Sequence, residues 1–134
     1  MTPAGILTAY RTFAVVGLSP RPGRPSNGVA SLLQERGYRI IPVNPECGVE
    51  RLLGEICYPD LLSIPEPVEV VDIFRRPEHV PPIVDDAIRI GAKAVWMQLG
   101  VIHEEAAAKA RAAGLAVVMD RCPAIELRRM KAGS

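Results

Sequence analysis

Short apolar runs alternate with helix-like segments along this chain, and that alternation limits the folds open to it. Five runs predict strands, at 13–18, 38–43, 68–74, 92–99 and 115–120. Because each run is almost continuously apolar, its strand needs cover on both faces, which is typical of a parallel sheet. Helical patterns lie at 26–36, before Gly91, at 103–114 and at 122–130. The sequence therefore predicts an α/β fold: a three-layer, doubly wound, mostly parallel five-stranded sheet of Rossmann-like type.

Residues that favour helix ends support these helix boundaries. Ser26 is the expected N-cap of the first of these helices, and Gly37 is its expected stop. Pro123 suits the first turn of the last helix. The stretch from 44 to 67 is mixed and rich in turn formers, and one short helix is expected in it, near 49–54.

Composition excludes several functional classes. A length of 134 residues predicts one domain, over residues 1–134. The formal net charge of +1 creates no field that would attract nucleic acid. No apolar run approaches the roughly eighteen residues of a membrane span, and the N-terminus lacks the pattern of a signal peptide. We therefore expect a cytoplasmic protein, a monomer or small homo-oligomer, whose protein partners the sequence does not reveal.

The cysteines and histidines do not form a recognisable metal or disulfide motif. The three cysteines show no C-x-x-C pairing and are expected to be reduced thiols: Cys47, Cys57 and Cys122. The two histidines, His79 and His103, are not spaced with the cysteines as metal ligands would be, so no metal is expected. His103 begins a helix and is expected to be a surface or capping residue rather than a catalytic base.

Ligands of doubly wound sheets bind outside the carboxyl ends of the strands, near the switch in strand order. That rule collects five segments at one edge of the sheet, namely 17–25, 44–46, 74–77, 98–100 and 120–122. Together they contain five arginines, Arg21, Arg24, Arg75, Arg76 and Arg121. Because arginine forms paired, charge-assisted hydrogen bonds with phosphate, this edge is expected to bind an anion.

The loop "GLSPRPG" at 17–23 is the expected phosphate cradle. Gly17 and Gly23 allow the backbone to approach a ligand, and the helix that follows offers free N–H groups. The loop is not the G-x-G-x-x-G of dinucleotide-binding proteins. The second strand also ends at Asn44, where those proteins carry an acidic residue for the ribose. These two departures from the dinucleotide-binding pattern count against NAD as the ligand.

Five segments give the chain a family resemblance: "AVVGLSPRPGRPS", "IIPVNP", "VDIFRRPE", "AIRIGAKAVWMQLGVI" and "AGLAVVMDRCPAIE". Over about Thr12 to Met130 the sequence resembles the small stand-alone CoA-binding proteins of bacteria. Those proteins are related to the CoA-binding domain of the succinyl-CoA synthetase alpha subunit. The resemblance implies the same fold, with coenzyme A or an acyl-CoA as the ligand.

The resemblance also implies roles for particular residues. The phosphates would be contacted from the first loop by Ser19, Arg21 and Arg24. The adenosine would be bordered by Asn44 and Pro45. The nucleotide and the start of the pantetheine arm would be flanked by Ile73, Phe74, Arg75 and Arg76. The opposite wall would be formed by Gln98, Leu99 and Gly100.

Two functions from different classes stay open at this point. The first is a non-catalytic CoA-binding module that acts as a carrier, sensor or regulatory partner. The second is an enzyme or redox protein acting on a CoA thioester or the CoA thiol, with Cys122 as the candidate nucleophile. Cys122 lies beside Arg121 at the start of a helix, a setting that can activate a thiol. The favoured interpretation, however, is that Cys122 is inert and partly buried rather than a nucleophile.

Overall fold

The computed structural model describes residues 1–47 and 51–132. The strands are β1 (Thr12–Val16), β2 (Arg39–Val43), β3 (Arg51–Leu52), β4 (Glu55–Ile56), β5 (Val70–Ile73), β6 (Ala94–Met97) and β7 (Ala116–Val118). The α-helices are α1 (Pro3–Ala9), α2 (Pro25–Glu35), α3 (Val80–Arg89), α4 (Glu104–Ala112) and α5 (Pro123–Ala132). Single turns of 3₁₀-helix lie at Leu61–Ser63 and Pro77–His79. No helix in the described ranges is both long and apolar enough to cross a membrane.

The central sheet has the strand order β2-β1-β5-β6-β7, and every neighbouring pair is parallel. Phe13 of β1 pairs with Ile40 on one side and with Val70 on the other. The chain therefore winds outward from β1 in both directions, which confirms the predicted doubly wound fold. The order reverses between β1 and β5, and ligands of such sheets bind at this switch point.

Two apolar cores cover the two faces of the sheet, because alternate strand residues point to opposite sides. One core joins the sheet to α3 and α4 through residues such as Val71, Val84 and Ala107. The other joins it to α1, α2 and α5 through residues such as Trp96 and Leu33. The expected three layers are therefore present.

Most departures from the sequence-based expectation lie at the margins of the fold. The strands are shorter than the apolar runs. Helix α1 was not predicted, and it is held by the burial of Ile6 and Leu7.

The prediction of a short helix near 49–54 is wrong for residues 51–54, while residues 49 and 50 lie outside the described residues. Residues 51–56 instead form an antiparallel hairpin that turns at Leu53 and Gly54, both with positive φ. A positive φ at leucine is uncommon, so the turn was hard to foresee.

This hairpin corrects the expectation that all the cysteines are reduced. Strand β4 carries the chain back beside β2, where Val43 and Tyr58 form a bridge. Cys57 therefore lies next to Cys47, and the two form a disulfide with their Cα atoms 6.1 Å apart. That separation is within the normal range for the bond. Cys122 is a free thiol, as expected.

Candidate functional site

The chain leaves β1 at Gly17, beside the point where the strand order reverses. Gly17 has a φ of +89°, and its N–H donates to the carbonyl of Val43 at 2.7 Å. A Cβ atom at this position would lie only 2.7 Å from the carbonyl oxygen of Phe74, just after β5. Because both this contact and the positive φ disfavour a side chain, the position requires glycine. The first loop therefore passes directly over the carboxyl end of β5.

The first loop is held from within by side chains of α2. The hydroxyl of Ser26 accepts a hydrogen bond from the N–H of Ser19 at 3.0 Å. The side-chain amide of Asn27 donates to the carbonyl of Ser19 at 2.9 Å, and both α2 residues are buried. A turn bond of 3.0 Å joins the N–H of Arg24 to the carbonyl of Arg21. The backbone of the loop is thus fixed, while its two arginine side chains are exposed.

The start of α2 differs from the expected one, because Ser26 is not the N-cap. The helix begins at Pro25, whose fixed φ and missing N–H suit the first helical position. Arg24 is the N-cap and forms no capping side-chain bond. The N–H groups of Ser26 and Asn27 precede the first intrahelical bond, which runs from Gly28 to Arg24. They lie at the positive end of the helix dipole and are suited to binding an anion.

A cavity of about 550 Å³ opens between this loop and the segment after β2. We call it the arginine cavity, and its lining is Gly17, Ser19, Pro20, Arg21, Arg24, Pro25, Ser26, Asn44, Glu46 and Phe74. Neither Arg21 nor Arg24 forms a salt bridge with any residue of 1–47 or 51–132. Two guanidinium groups beside a helix N-terminus form a suitable environment for phosphate.

A second cavity, of about 360 Å³, continues along the end of β5. This bridging cavity is lined by Gly17, Asn44, Glu46, Phe74, Arg75, Arg76 and His79. Arg75 and Arg76 likewise form no salt bridge within the described part of the chain. Four of the five arginines expected at this edge therefore line two adjoining cavities, whereas Arg121 lines neither.

A third cavity, of about 220 Å³, lies on the α3 side of the sheet. Most of its lining is apolar, so we call it the apolar cavity; it is formed by Val16, Val43, Pro45, Pro59, Asp60, Leu61, Arg75, His79, Pro82, Ile83 and Asp86. Arg75 and His79 also line the bridging cavity, so the bridging cavity adjoins both of the others. The sequence did not assign His79 to the site, although its place just after "FRRP" was a usable signal.

Asn44 joins the first loop to the segment after β2. Its side-chain N–H donates to the carbonyl of Leu18 at 3.1 Å, and its side-chain oxygen accepts from the N–H of Glu46 at 2.9 Å. Asn44 lines the arginine and bridging cavities, whereas Pro45 lines the apolar cavity. Both residues border the adjoining cavities, and their contact with an adenosine stays a prediction.

The other residues assigned from the sequence lie farther from these cavities. Gln98, Leu99 and Gly100 follow β6, and none of them lines the three cavities. Gln98 is buried, whereas Leu99 is 57% exposed. Gly23 is absent from the three linings, and Ile73 is fully buried in the core with α3. Their roles in ligand binding stay predictions.

Asp72 is a buried carboxyl group that was not among the site residues predicted from the sequence. It lies in β5 opposite Trp96 of β6 and has no exposed surface. One carboxylate oxygen accepts a hydrogen bond of 2.8 Å from the side-chain amide of Gln98. The other has no hydrogen-bond partner among the described residues. Burial raises the pKa of Asp72 to about 7, and the hydrogen bond from Gln98 acts in the opposite direction. An acidic residue in the second half of the apolar run "VEVVDIF", which also contains Glu69 near its start, was the available signal.

The candidate catalytic groups are not assembled around the cavities. Cys122 is 8% exposed and packs in the core with α5. His103 is the N-cap of α4, where its Nδ1 accepts from the N–H of Ala106 at 3.1 Å, which confirms its expected capping role. Across the described residues, no group of three or more His, Cys, Asp or Glu is placed to hold a metal. The arginines described above are therefore the charged groups that set the character of the arginine and bridging cavities.

Comparison with known proteins gives matches over most of the chain. A CoA binding domain family model matches residues 11–128. The uncharacterized protein YneT of Bacillus subtilis (strain 168) is 38% identical over 117 residues, covering 87% of this chain and 85% of that protein. The solved structure of a hypothetical protein from Pyrococcus horikoshii OT3 has a TM-score of 0.90 at 44% identity, covering 96% of this chain and 92% of that one.

A match to part of a larger protein extends the comparison. The ADP-forming acetate–CoA ligase II of Archaeoglobus fulgidus is 31% identical over 97 residues, which are 71% of this chain but 14% of the ligase. The region matched by the family model includes every residue that lines the three cavities. The family inferred from the sequence motifs is therefore confirmed, and the chain belongs to the CoA-binding domain family.

Proposed function

We propose that this chain, acting as one domain, binds coenzyme A or an acyl-CoA at the adjoining cavities. Its role would be that of a non-catalytic carrier, sensor or regulatory module. The observation that carries the proposal is the arginine cavity, where Arg21 and Arg24 have no acidic partner in the described chain and lie beside the start of α2. Membership of the CoA-binding domain family supports this ligand.

The family resemblance, together with the lining of the arginine cavity, suggests how such a ligand would lie. Its phosphates would contact Ser19, Arg21 and Arg24 together with the free N–H groups of α2. The adenosine would be bordered by Asn44 and Pro45. The nucleotide and the start of the pantetheine arm would pass along Ile73, Phe74, Arg75 and Arg76. The opposite wall would be formed by Gln98, Leu99 and Gly100.

The burial of Cys122 supports a binding role over a catalytic one. A nucleophile has to reach its substrate, and this thiol is 8% exposed within an apolar core. We therefore expect Cys122→Ala to bind CoA within about threefold of the parent affinity, or roughly 0.65 kcal/mol. Incubation with acyl-CoAs, followed by mass spectrometry, tests the alternative. Thioester loss that disappears in Cys122→Ala would establish an enzyme and overturn the non-catalytic proposal.

The phosphate assignment is tested by calorimetric titration of Arg21→Ala and Arg24→Ala with CoA. A hydrogen bond to a charged group contributes about 1.5–3 kcal/mol, so loss of a phosphate contact should weaken binding about tenfold or more. Arg111→Ala is the matched control, because Arg111 is also an exposed arginine but lies on α4. Its affinity should equal that of the parent.

Titration with dephospho-CoA distinguishes the roles of Arg21 and Arg24. If one of them binds the 3′-phosphate, its substitution should cost much less affinity for the ligand that already lacks this group. A parent protein that binds NAD more tightly than CoA would contradict the proposed ligand. Parent-like CoA affinity in both arginine variants would show that the first loop is not the phosphate site.

A further inference from the structure

The wall of the ligand cavities that follows β2 ends at a disulfide. Asn44 and Glu46 line both the arginine and the bridging cavity. The next residue, Cys47, is bonded to Cys57, which follows β4. The disulfide therefore connects a wall of the proposed CoA site to the small hairpin beside the sheet.

Backbone hydrogen bonds hold the first part of this wall more firmly than its end. The N–H of Asn44 donates to the carbonyl of Tyr58 at 2.9 Å, and the N–H of Tyr58 donates to Pro42 at 3.0 Å. The N–H groups of Glu46 and Cys47 bond back to Asn44 itself, at 2.9 and 3.1 Å. These two bonds shape a turn without connecting it to the sheet. Among the contacts made by residues 1–47 and 51–132, the covalent bond to the hairpin is therefore the strongest restraint on the end of the wall.

Reduction would leave a much weaker connection at the same place. The Sγ of Cys47 lies 3.3 Å from the carbonyl oxygen of Tyr58, so a thiol there retains a weak hydrogen bond. A disulfide limits the conformations of the chain that it closes, and its loss widens them. A wall that is less ordered before binding gives weaker binding, because ordering it then opposes association.

The two sulfur atoms belong to residues that a reductant can reach. Cys47 and Cys57 are partly exposed, whereas Cys122 is buried. Attack by one thiolate of a dithiol on either sulfur breaks the S–S bond and forms a mixed disulfide. The second thiolate of the dithiol then attacks this mixed disulfide and displaces the cysteine that is still bound to the reductant. Both cysteines become thiols, and the dithiol becomes a disulfide.

We propose that the Cys47–Cys57 pair is a redox switch of ligand affinity: the oxidised pair holds the wall at Asn44–Cys47 in its binding position, and reduction by a dithiol releases it. This inference rests on the proposed CoA-binding function. It goes beyond that function by giving the binding site a dependence on the thiol–disulfide balance of its surroundings.

The test is a calorimetric titration of oxidised and dithiol-reduced protein with desulfo-CoA. This probe lacks the thiol of CoA, so it cannot exchange with the disulfide. Alkylation and mass spectrometry define the two states, with one free cysteine in the oxidised chain and three in the reduced chain. Reduction should weaken binding at least threefold. The double variant Cys47→Ser/Cys57→Ser should match the reduced parent with or without dithiol, and Cys122→Ser should switch like the parent.

A second measurement reports on the wall without any ligand. Amide hydrogen exchange at Cys47, whose N–H bonds to Asn44, should be faster in the reduced chain. Equal affinity of the oxidised and reduced protein for desulfo-CoA would overturn the switch and leave the proposed function intact. Absence of binding in both states would overturn the proposed function and the switch with it. Failure of the two cysteines to form the bond under oxidising conditions would overturn the switch alone.

Discussion

Replacing Asp72 with asparagine should make the protein more stable at neutral pH. The folded chain places the Asp72 carboxylate in the sheet with no exposed surface, and one of its oxygens has no partner among the described residues. An ionised carboxylate in such a place destabilises the fold, because burial opposes its charge. Asparagine keeps the shape of the side chain and an oxygen that can accept the hydrogen bond from Gln98.

The pKa of Asp72 sets the size and the sign of the effect. Burial raises it from 3.8 to about 7, so between these values the folded state retains a proton that the unfolded state has released. The stabilising contribution of this proton is complete below about pH 4 and is lost as the pH rises to about 7. A shift of this size corresponds to about 4 kcal/mol at 1.36 kcal/mol for each pH unit. The new amide N–H group lacks a partner and costs about 1–3 kcal/mol, so the net gain above pH 7 should be about 1–3 kcal/mol.

Urea unfolding of the parent and Asp72→Asn at several pH values between 4 and 8.5 measures this effect directly. The free energy of unfolding of Asp72→Asn minus that of the parent should increase as the pH rises, and this difference should level off above about pH 7. Asp86→Asn, which removes a partly exposed carboxylate on α3, is the matched control for the loss of one carboxylate. A difference for Asp72→Asn that stays constant across this range, or that favours the parent at high pH, would refute the reasoning.

Two further predictions concern the backbone at the site and the start of α4. Gly17→Ala should lower the free energy of unfolding by more than about 2 kcal/mol, since φ is +89° and the new Cβ would meet the Phe74 carbonyl at 2.7 Å. Gly23→Ala, whose Cβ would meet open space, should change the free energy of unfolding by less than about 0.5 kcal/mol. Equal losses of stability for Gly17→Ala and Gly23→Ala in urea unfolding would contradict this account. His103→Ala should cost about 1 kcal/mol by removing the cap on Ala106, while His103→Asn should retain most of it. Thermal melting checks this, and an alanine variant as stable as the asparagine one would show that the cap is unimportant.

The sequence predicted the sheet well because its signals are local. Each apolar run became a strand, although the ends moved inward where backbone geometry intervened. The run 13–18, for example, ends as a strand at Val16, because Gly17 turns with a positive φ. Helix α1 was not predicted, although Thr2 and Pro3 favour a helix start; the burial of Ile6 and Leu7, which also holds it, is seen only in the tertiary structure.

The edge of the sheet could be predicted, but the shape of the site could not. The rule for carboxyl ends brought Arg21, Arg24, Arg75 and Arg76 together, since it depends on topology alone. The apolar cavity is built from several separate segments, so no local pattern indicates it. The Cys47–Cys57 disulfide was missed for the same reason, because the hairpin that brings the two residues together has an unusual turn.

The position of Gly17 explains why the adjoining cavities lie on both faces of the sheet. Val16 packs into the core with α3 and also lines the apolar cavity, whereas Leu18 packs into the core with α2. The chain therefore crosses the sheet edge at Gly17, where the absence of a side chain lets the first loop lie against Phe74. The arginine cavity opens on one side of this crossing and the apolar cavity on the other, and the bridging cavity lies between them. An extended ligand with an anionic part and a less polar part suits such a path, because each part would meet a lining of its own character.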